Sequence, residues 1–385
     1  MRRARRDGAR SAPSEGPTDG TSRLLVLNWR DIWHPEGGGS ELYVGEVTRR
    51  LHEDGVHVTI FGAQYPGSAR SQEINGIHYV RRGGHLTVYL WAALYLMLGR
   101  WGRFGPIDHV LEVQNGMPFL ARLFTKAKVT VLVHHVHREQ WSILNPVLAR
   151  VGWFLESRVA VRVNQGLSYV AVSEVTRSEL VDLGVRGNDI TIAWNGLPEV
   201  PEHDPRPESA APQLVMLVRL VPHKRVEHAM DVVAALRDRF PGLHLTVMGS
   251  GWWEPQLLQH RAELGLEDDV TFLGHVSDRT KFEVLSGAWV HLLPSVKEGW
   301  GLSIVEAASV GVPSIAYADA GGVCESILDG VTGLLALDEA DLVAQVDRLL
   351  RDPELRRDLG DTARIRAAQF TWETTVASLN RALRA

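Results

Sequence analysis

The chain has 385 residues, more than the roughly 250 to 300 at which a single hydrophobic core stops growing, so two domains are expected. It is 45% hydrophobic and 23% charged with a formal net charge of -5, which is typical of a globular protein and gives no general attraction to nucleic acid. One cysteine excludes both an intramolecular disulfide and a cysteine zinc cluster, and it favours a reducing, cytoplasmic compartment.

The first segment, residues 1–22, is basic and rich in Ser, Pro and Gly. It lacks the apolar stretch of a secretory signal. Such a composition cannot bury a core, so we predict a disordered tail on a protein that stays in the cytoplasm.

Ordered structure is predicted to begin at Leu24, where the run LLVLN is typical of a buried parallel strand. A glycine-rich loop follows, and then an amphipathic helix over Ser40–Glu53 with Ser40 as a possible N-cap. The alternation of strand and helix continues and predicts a parallel sheet joined by right-handed crossovers. The further strands of this half are predicted at 56–61, 109–114, 128–135 and 167–173.

The proline-rich stretch 198–212 predicts a linker between a first domain, 23–197, and a second domain, 213–370. An amphipathic helix in 371–385 could pack on either domain, and so could cross back to the first. The pattern of the second domain predicts a helix at about 226–240 and strands at 213–220, 243–251, 270–274, 289–295 and 313–318. The fold class is therefore α/β, with two Rossmann-like doubly wound sheets whose strand carboxyl ends face a shared cleft.

Two carboxylates eight residues apart form the most specific pattern of the chain. Glu298 lies in the loop after a predicted strand, and Glu306 lies about one turn into the following helix. Ser303 with Glu306 also matches the S-x-x-E capping box, so Glu306 could instead only close the start of that helix.

The segment 298–327 resembles the E-x7-E signature of the retaining glycosyltransferases of family 4, which have the GT-B fold, and the likeness extends from about residue 24 onwards. The resemblance implies that Glu298 approaches the donor sugar and that Glu306 binds the ribose of the nucleotide. Carboxylates suit both tasks, because they hold diols through charge-assisted hydrogen bonds and stabilise oxocarbenium-like centres. The donor-binding set of this segment also includes the residues that lead into the helix, Gly299, Trp300, Gly301 and Leu302.

A basic turn, Arg219 to Lys224, follows the first strand of the second domain and resembles the G-R-L-x-x-x-K turn of the family. Val218 stands where the family usually has Gly. We expect Arg219 and Lys224 to bind the diphosphate, because cations stabilise a departing phosphate most in the transition state. No D-x-D triplet occurs in the sequence, so a metal-bridged diphosphate is not indicated. The alternative interpretation is a solvated basic loop.

Two glycine loops are further candidates for donor binding. Gly38 and Gly39 precede a predicted helix and resemble the N-terminal GG loop of the family, which covers the donor phosphates and sugar. Gly249 and Gly251 could let the nucleotide approach the backbone, although all of these glycines could equally serve turns. Neither loop fits G-x-G-x-x-G with a following acid, which disfavours a nicotinamide-dependent enzyme.

Histidines cluster at the end of a predicted strand of the first domain, where the family has a histidine that contacts the reacting sugar. His134 or His135 fills that place, and strand alternation alone does not decide which of them faces the site. His137 could contact an acceptor or cap the loop. No H-E-x-x-H pattern or cysteine accompanies them, so a metal site is disfavoured.

Two basic and apolar stretches of the first domain, 85–104 and 148–163, could lie on a membrane surface or pack against the first sheet. The first has an apolar run of about 13 residues, too short for the roughly 20 that cross a bilayer. We predict peripheral attachment to the inner face of the cell membrane, where a lipid-linked acceptor would be met.

The sequence thus predicts a retaining hexosyltransferase that needs no cofactor or metal and moves a sugar from a nucleoside diphosphate to a glycolipid or glycan hydroxyl. The retention is implied by the resemblance alone. Two alternatives stay open: a sugar-nucleotide epimerase or synthase of the same fold, and a non-catalytic nucleotide-sugar-binding protein.

Overall fold

A computed structural model of the protein describes residues 22–35, 37–98, 106–141, 146–202 and 209–385. The predicted disordered tail, apart from residue 22, lies outside these ranges. So do residues 203–208 of the predicted linker and residues 99–104 of the first predicted membrane stretch.

The first lobe is built on an eight-stranded sheet. In chain order its strands are β1 (Arg23–Leu27), β2 (His57–Gly62), β3 (Ser71–Ile74), β4 (Ile77–Arg81), β5 (His109–Gln114), β6 (Lys128–Val133), β7 (Ser168–Ala171) and β8 (Ile190–Ile192). Their spatial order is β3-β4-β2-β1-β5-β6-β7-β8, and every neighbouring pair is parallel except β3 with β4.

The antiparallel pair corrects the prediction of an all-parallel first sheet. Asn75 and Gly76, the two residues between β3 and β4, both have positive φ, 51° and 77°. This is the two-residue turn that an Asn-Gly step favours, because its twist matches that of a hairpin. An edge hairpin therefore interrupts the strand-helix alternation.

The helices of the first lobe are α1 (Gly39–Glu53), α2 (Val88–Met97), α3 (Arg138–Trp141), α4 (Pro146–Phe154), α5 (Val161–Val163) and α6 (Glu174–Asp182). A π-helical segment, Leu155–Ala160, joins α4 to α5. None of the helices in the described part of the chain is long and apolar enough to span a bilayer.

The predicted N-cap of α1 is wrong by two residues. Gly38 is the N-cap and Ser40 lies inside the helix. The reason is Glu41, whose side chain accepts the backbone N–H of Gly38 at 2.7 Å and so satisfies an amide at the helix start.

The second lobe is built on a fully parallel six-stranded sheet in the order β11-β10-β9-β12-β13-β14. Its strands are β9 (Gln213–Leu217), β10 (His244–Met248), β11 (Val270–Gly274), β12 (Val290–Leu293), β13 (Ser314–Tyr317) and β14 (Gly333–Ala336). Its helices, with the C-terminal ones, are α7 (Val226–Leu236), α8 (Glu254–Glu263), α9 (Asp278–Ser286), α10 (Leu302–Ser309), α11 (Val323–Ser326), α12 (Glu339–Arg351), α13 (Pro353–Ala367) and α14 (Trp372–Arg384).

Each sheet has one point at which the strand order changes direction. In the first lobe it lies between β1 and β5, and in the second lobe between β9 and β12. Ligands of open α/β sheets bind beyond the strand carboxyl ends at such points. The doubly wound prediction is confirmed for both lobes, and these two edges locate the candidate site.

The two lobes are joined by an apolar contact. The buried core of the first lobe includes Val305 and Ala308 from α10, Ala363 from α13 and Trp372 from α14. Helix α14 packs against α1, β6, β7 and β8, and the Thr375 hydroxyl donates to the Trp194 carbonyl at 2.7 Å. The C-terminal helix therefore lies on the first lobe.

Candidate functional site

The basic turn and the first acid of the predicted signature meet at the change of direction in the second sheet. Lys224 follows β9 and Glu298 follows β12, which are adjacent strands. The Lys224 Nζ donates to Glu298 Oε1 at 2.5 Å, and the Val296 N–H donates to the His223 carbonyl at 2.8 Å. Both ion-pair side chains are largely buried, 14% and 13% exposed. The structure thus brings Lys224 and Glu298 together.

The environment of Glu298 favours its charged form. Burial acts to raise the pKa of this carboxyl, but the Lys224 ammonium, the Ser295 hydroxyl and nearby His223 outweigh it, and the pKa of Glu298 is lowered. The same buried, cationic surroundings lower the pKa of His223 to about 4, with Lys224 as the main charge that opposes protonation. At neutral pH Glu298 is therefore a carboxylate and the imidazole of His223 is neutral.

The loop of Glu298 packs closely on the loop that contains Gly322. The Glu298 N–H donates to the Ala320 carbonyl at 2.8 Å, and the Gly322 N–H donates to the Glu298 carbonyl at 2.9 Å. A Cβ added at Gly322 would lie 2.0 Å from the Gly299 carbonyl oxygen. The close approach of the two loops therefore requires Gly322, and it holds Glu298 rigidly beside Lys224.

The GG loop of the first lobe faces the second lobe. A Cβ added at Gly38 would lie 3.2 Å from Nε of Arg219, and one added at Gly39 would lie 3.9 Å from Leu302 at the start of α10. The predicted diphosphate residues, Gly38, Gly39 and Arg219, are thus neighbours across the cleft. Their contact with a donor stays a prediction.

Glu41 is a buried carboxylate of this cleft that the sequence reasoning missed. It is 1% exposed and lies 3.3 Å from Nε of Arg30. Burial acts to raise its pKa, but Arg30, Arg219 and the Gly38 amide lower it. The spacing of Gly38 and Glu41 is that of an N-cap and its third helical residue, which was the signal that could have found it.

The two candidate histidines occupy different environments. His134 follows β6, is buried, and packs edge-to-face on Tyr43 at 5.1 Å between ring centroids. Burial lowers the pKa of His134 to about 4, with Glu41 opposing the shift. His135 stacks on His137 at 4.1 Å.

The charges that act on His135 include groups of the second lobe. Burial lowers its pKa well below the usual range, and the charges that add to the shift include His223 and Lys224. His134 instead contacts the second lobe through its backbone, because a Cβ added at Gly299 would lie 2.2 Å from the His134 carbonyl oxygen. Among the described residues, no group of three His, Cys, Asp or Glu side chains could hold a metal ion.

The second acid of the signature lies in a separate ion pair. Glu306 Oε1 accepts from Lys281 Nζ at 2.6 Å, and Lys281 also donates to Asp278 at 2.8 Å. Burial raises the pKa of Glu306, and the Lys281 ammonium opposes the shift. The capping-box interpretation is wrong, because α10 begins at Leu302 with Gly301 as its N-cap. Ribose binding by Glu306 stays a prediction.

Other predicted donor-binding residues have structural reasons for their identity. A Cβ at Gly249 would lie 1.9 Å from the Val218 carbonyl oxygen, and one at Gly251 would lie 2.1 Å from that of Leu220. These glycines let the loop after β10 pack on the basic turn. Nucleotide contact by their backbone is untested.

Trp300 and Gly301 shape the start of α10. The Trp300 side chain is 2% exposed and packs on Phe370 at 5.0 Å between ring centroids. Gly301 has a φ of 83°, a left-handed conformation that favours glycine. The indole is therefore a core group, and it packs in the hydrophobic core of the first lobe. Phosphate contact by the backbone of this segment stays a prediction.

Comparison with known protein families covers both lobes. A family described as Glycosyltransferase Family 4 matches residues 37–199. A second, described as Glycosyl transferases group 1, matches residues 202–366.

The chain also resembles individual glycosyltransferases. It is 29% identical to a D-inositol 3-phosphate glycosyltransferase of Stackebrandtia nassauensis, over 89% of this chain and 86% of that protein. It is 29% identical to a glycogen synthase of Mycobacterium tuberculosis over 56% of this chain, and that match spans only 53% of the synthase.

Solved structures share the fold. A sucrose-phosphate synthase of Thermosynechococcus elongatus superposes with a TM-score of 0.79 at 18% identity, over 94% of this chain and 98% of the other. HepE of Anabaena, solved in complex with UDP-glucose, superposes with a TM-score of 0.73 at 18% identity, over 94% and 99%. The two facing Rossmann-like domains are those of the GT-B fold.

Proposed function

We propose a sugar-transfer activity for this chain. It belongs to the GT-B glycosyltransferases, through a Glycosyltransferase Family 4 domain and a Glycosyl transferases group 1 domain. The proposed activity is transfer of a hexose from a nucleoside diphosphate to a hydroxyl of a glycan or glycolipid, with retention of the anomeric configuration. HepE, a structural neighbour, was solved with UDP-glucose, which supports a nucleotide-sugar donor.

The observation that carries the proposal is the Lys224–Glu298 pair, with a 2.5 Å contact, at the carboxyl ends of β9 and β12. Arg219, from the same turn, lies beside Gly38 of the opposite lobe. Two cations and one carboxylate thus converge between a glycine loop and the start of α10. This arrangement suits a substrate with both a diphosphate and a sugar.

The chemistry follows from these charges. As the bond between the anomeric carbon and the diphosphate breaks, negative charge grows on the diphosphate, and Arg219 and Lys224 stabilise it in the place of a divalent cation. The Glu298 carboxylate stabilises positive charge on the sugar. An acceptor oxygen attacks from the leaving-group side, and its proton passes to the departing phosphate oxygen, so the configuration is retained.

His135 is the proposed partner of the reacting sugar from the first lobe. Its surroundings keep the imidazole neutral, so at neutral pH it has one donor and one acceptor nitrogen for sugar hydroxyls. Glu306 is proposed to bind the ribose, for which it must share or release Lys281.

The direct test is turnover by Glu298→Gln and Lys224→Ala with a donor found by thermal-shift screening of nucleotide sugars. Turnover should fall by about a thousandfold while the fold survives. The matched control is Lys126→Ala, a change at an exposed lysine of the first lobe. Near-normal turnover in the first two variants would reject the assignment.

Product analysis separates the proposal from its alternatives. A transferase gives a new glycoside whose yield depends on the acceptor, whereas an epimerase converts the donor without one. Tight donor binding with no hydrolysis and no transfer would indicate a binding protein instead.

Peripheral membrane attachment is part of the proposal, and exposed apolar side chains support it. The region of α2 exposes Leu86, Leu90, Trp91, Leu94 and Met97, and α4 exposes Val147, Leu148, Val151 and Phe154. Beside the α4 stripe, Arg150, Arg158 and Arg162 are exposed, while the single acid Glu156 is buried. An apolar stripe with basic neighbours fits an anionic bilayer.

Vesicle flotation tests this attachment. Vesicles that contain phosphatidylglycerol should carry the protein, and vesicles of phosphatidylcholine alone should carry less. Leu148→Ser with Phe154→Ser should reduce binding, whereas Ile365→Ser, at an exposed residue of α13, should not. No binding to anionic vesicles would reject the attachment.

A further inference from the structure

A carboxylate of the second lobe binds the start of a helix in the first lobe. Glu325, in α11, accepts the backbone N–H groups of Glu174 at 2.9 Å and Val175 at 2.8 Å. It also accepts the indole N–H of Trp194 at 3.3 Å. Helix α6 begins at Glu174, so this charge lies at the positive end of the helix dipole.

A second polar contact reaches the same helix. The Lys297 ammonium forms an ion pair with Glu179, one turn further along α6. The Lys297 side chain is 10% exposed, so this pair is better shielded from solvent than a surface salt bridge.

Both contacts come from the segments that hold Glu298. Lys297 is its neighbour in the chain, and Glu325 follows three residues after Gly322, whose N–H donates to the Glu298 carbonyl. The two loops that fix the candidate donor-binding acid are therefore the loops that contact α6.

Helix α6 also contacts the segment that holds the candidate histidines. Thr176 of α6 donates its hydroxyl to the His134 carbonyl at 3.2 Å, and Gly299 lies against that same carbonyl. The position of α6 thus sets the distance between the histidines of the first lobe and the Glu298 loop of the second.

These contacts differ from the α14 contact between the lobes. The α14 contact, which Val305 and Ala308 of α10 extend, is apolar and buried, which makes its separation costly. The α6 contacts are a few polar groups that water can replace when the cleft opens, so they can form and break while α14 keeps the lobes attached.

We propose that Glu325 is a positioning residue that closes the cleft: by binding the start of α6, with Lys297–Glu179 beside it, it places Glu298 against His134 and His135 for the reaction. Its effect on turnover rests on the proposed transferase function, but its effect on lobe closure does not. A misplacement of about 1 Å between reacting groups can cost a hundredfold in rate, so the contact controls turnover without touching substrate.

The first test measures lobe closure without any ligand. Small-angle scattering should give a larger radius of gyration for Glu325→Ala than for the unchanged protein. Glu325→Gln, which keeps one carbonyl acceptor, should give an intermediate value, and Glu267→Ala, at an exposed acid between α8 and β11, should give no change. An unchanged radius for Glu325→Ala would overturn the proposal.

The second test separates closure from nucleotide binding. Glu325→Ala should lower kcat by up to about a hundredfold but leave the Kd for UDP, used as the probe, within about twofold, because Lys224 and Glu298 contact each other within the second lobe and do not need the α6 contact. A purely destabilising change would lower the Tm and leave kcat of the folded fraction unchanged, and that result would also overturn the proposal.

Charge reversal provides a rescue test in case Glu325→Ala fails to fold. Glu179→Lys alone should open the cleft, and Glu179→Lys with Lys297→Glu should recover both the radius of gyration and part of kcat. Failure of the double variant to recover either would count against the proposal. If no substrate is turned over by the unchanged protein, the transferase function fails, yet the radius of gyration still decides whether the contact closes the cleft.

Discussion

Two Lys–Glu pairs in the second lobe use the same residue types in different ways. Lys224–Glu298 lies at the strand edge that faces the other lobe, whereas Lys281–Glu306 joins α9 to α10. The pKa of Glu298 is lowered and that of Glu306 is raised, although burial acts to raise both. The difference lies in the surroundings, because Glu298 also has the Ser295 hydroxyl and His223, while Glu306 has the repulsive charge of Asp278.

Two acids at the motif spacing therefore do not share one role. The first pair keeps its carboxylate charged near the cleft. A carboxylate must be charged if it is to stabilise positive charge on a substrate. The second is more buried, 10% and 6% exposed, and its ammonium donates to Asp278 as well as to Glu306. We therefore expect the first pair to matter most for turnover and the second most for stability.

The largest expected effect comes from Lys224→Met. Removal of the ammonium takes away stabilisation of the leaving diphosphate, so turnover should fall by about a thousandfold. The free energy of unfolding should also fall, though by less than at the more buried Lys281–Glu306 pair, because Glu298 is left largely buried without its cation. Turnover assays on the folded protein and urea unfolding check this, and near-normal turnover with a large loss of stability would make this pair structural.

The same substitution in the other pair, Lys281→Met, should act on stability. It leaves Glu306 buried without its cation, which costs about 3 kcal/mol in the free energy of unfolding. A second change, Glu306→Gln, should restore part of that loss because the buried charge is removed. If Lys281→Met instead abolishes turnover at full stability, the contrast between the pairs is wrong.

A smaller effect is expected at the first lobe. His135→Ala should lower kcat by about tenfold or more, because a sugar hydroxyl loses one positioned partner. His57→Ala is the control, since His57 is exposed at the start of β2. Equal losses of kcat in the two variants would show that His135 is not part of the site.

A further expected effect is a pH dependence of stability, which does not involve the donor. Burial lowers the pKa of His134 to about 4 and that of His291 to about 3, below the value of about 6.5 for an unfolded chain. The unfolded state therefore binds more protons below pH 6.5, and each histidine should reduce the free energy of unfolding by about 1.4 kcal/mol per pH unit down to its folded pKa. Urea unfolding at pH 7, 6 and 5 should show this, and His291→Asn should lessen the slope. An unchanged slope would mean that His291 is protonated in the folded protein.

Much of the fold could be predicted because strands in parallel sheets are continuous apolar runs. β5 and β11 have their predicted bounds for this reason. The edge hairpin could not be predicted from apolar runs, since β3 reads S-Q-E-I, and only the Asn75–Gly76 step signals it.

The site residues that belong to a local sequence motif could be predicted. The residues that depend on a partner far away in the sequence could not. Lys224 and Glu298 were found because each lies after a strand in a motif that resembles one of the family. Lys281 and Glu325 could not be found, since their partners lie 25 residues away in Glu306 and about 150 residues away in Glu174 and Val175. The sequence has no local feature that announces such contacts.

The account depends most on Lys224 and Glu298 acting as one unit on the donor. A double-mutant cycle of Lys224→Met and Glu298→Gln, read out as kcat with the identified donor, measures this directly. We predict that the double variant is about as slow as either single variant, because residues that act as a unit are not additive. Losses that multiply, or a double variant with near-normal kcat, would contradict the account.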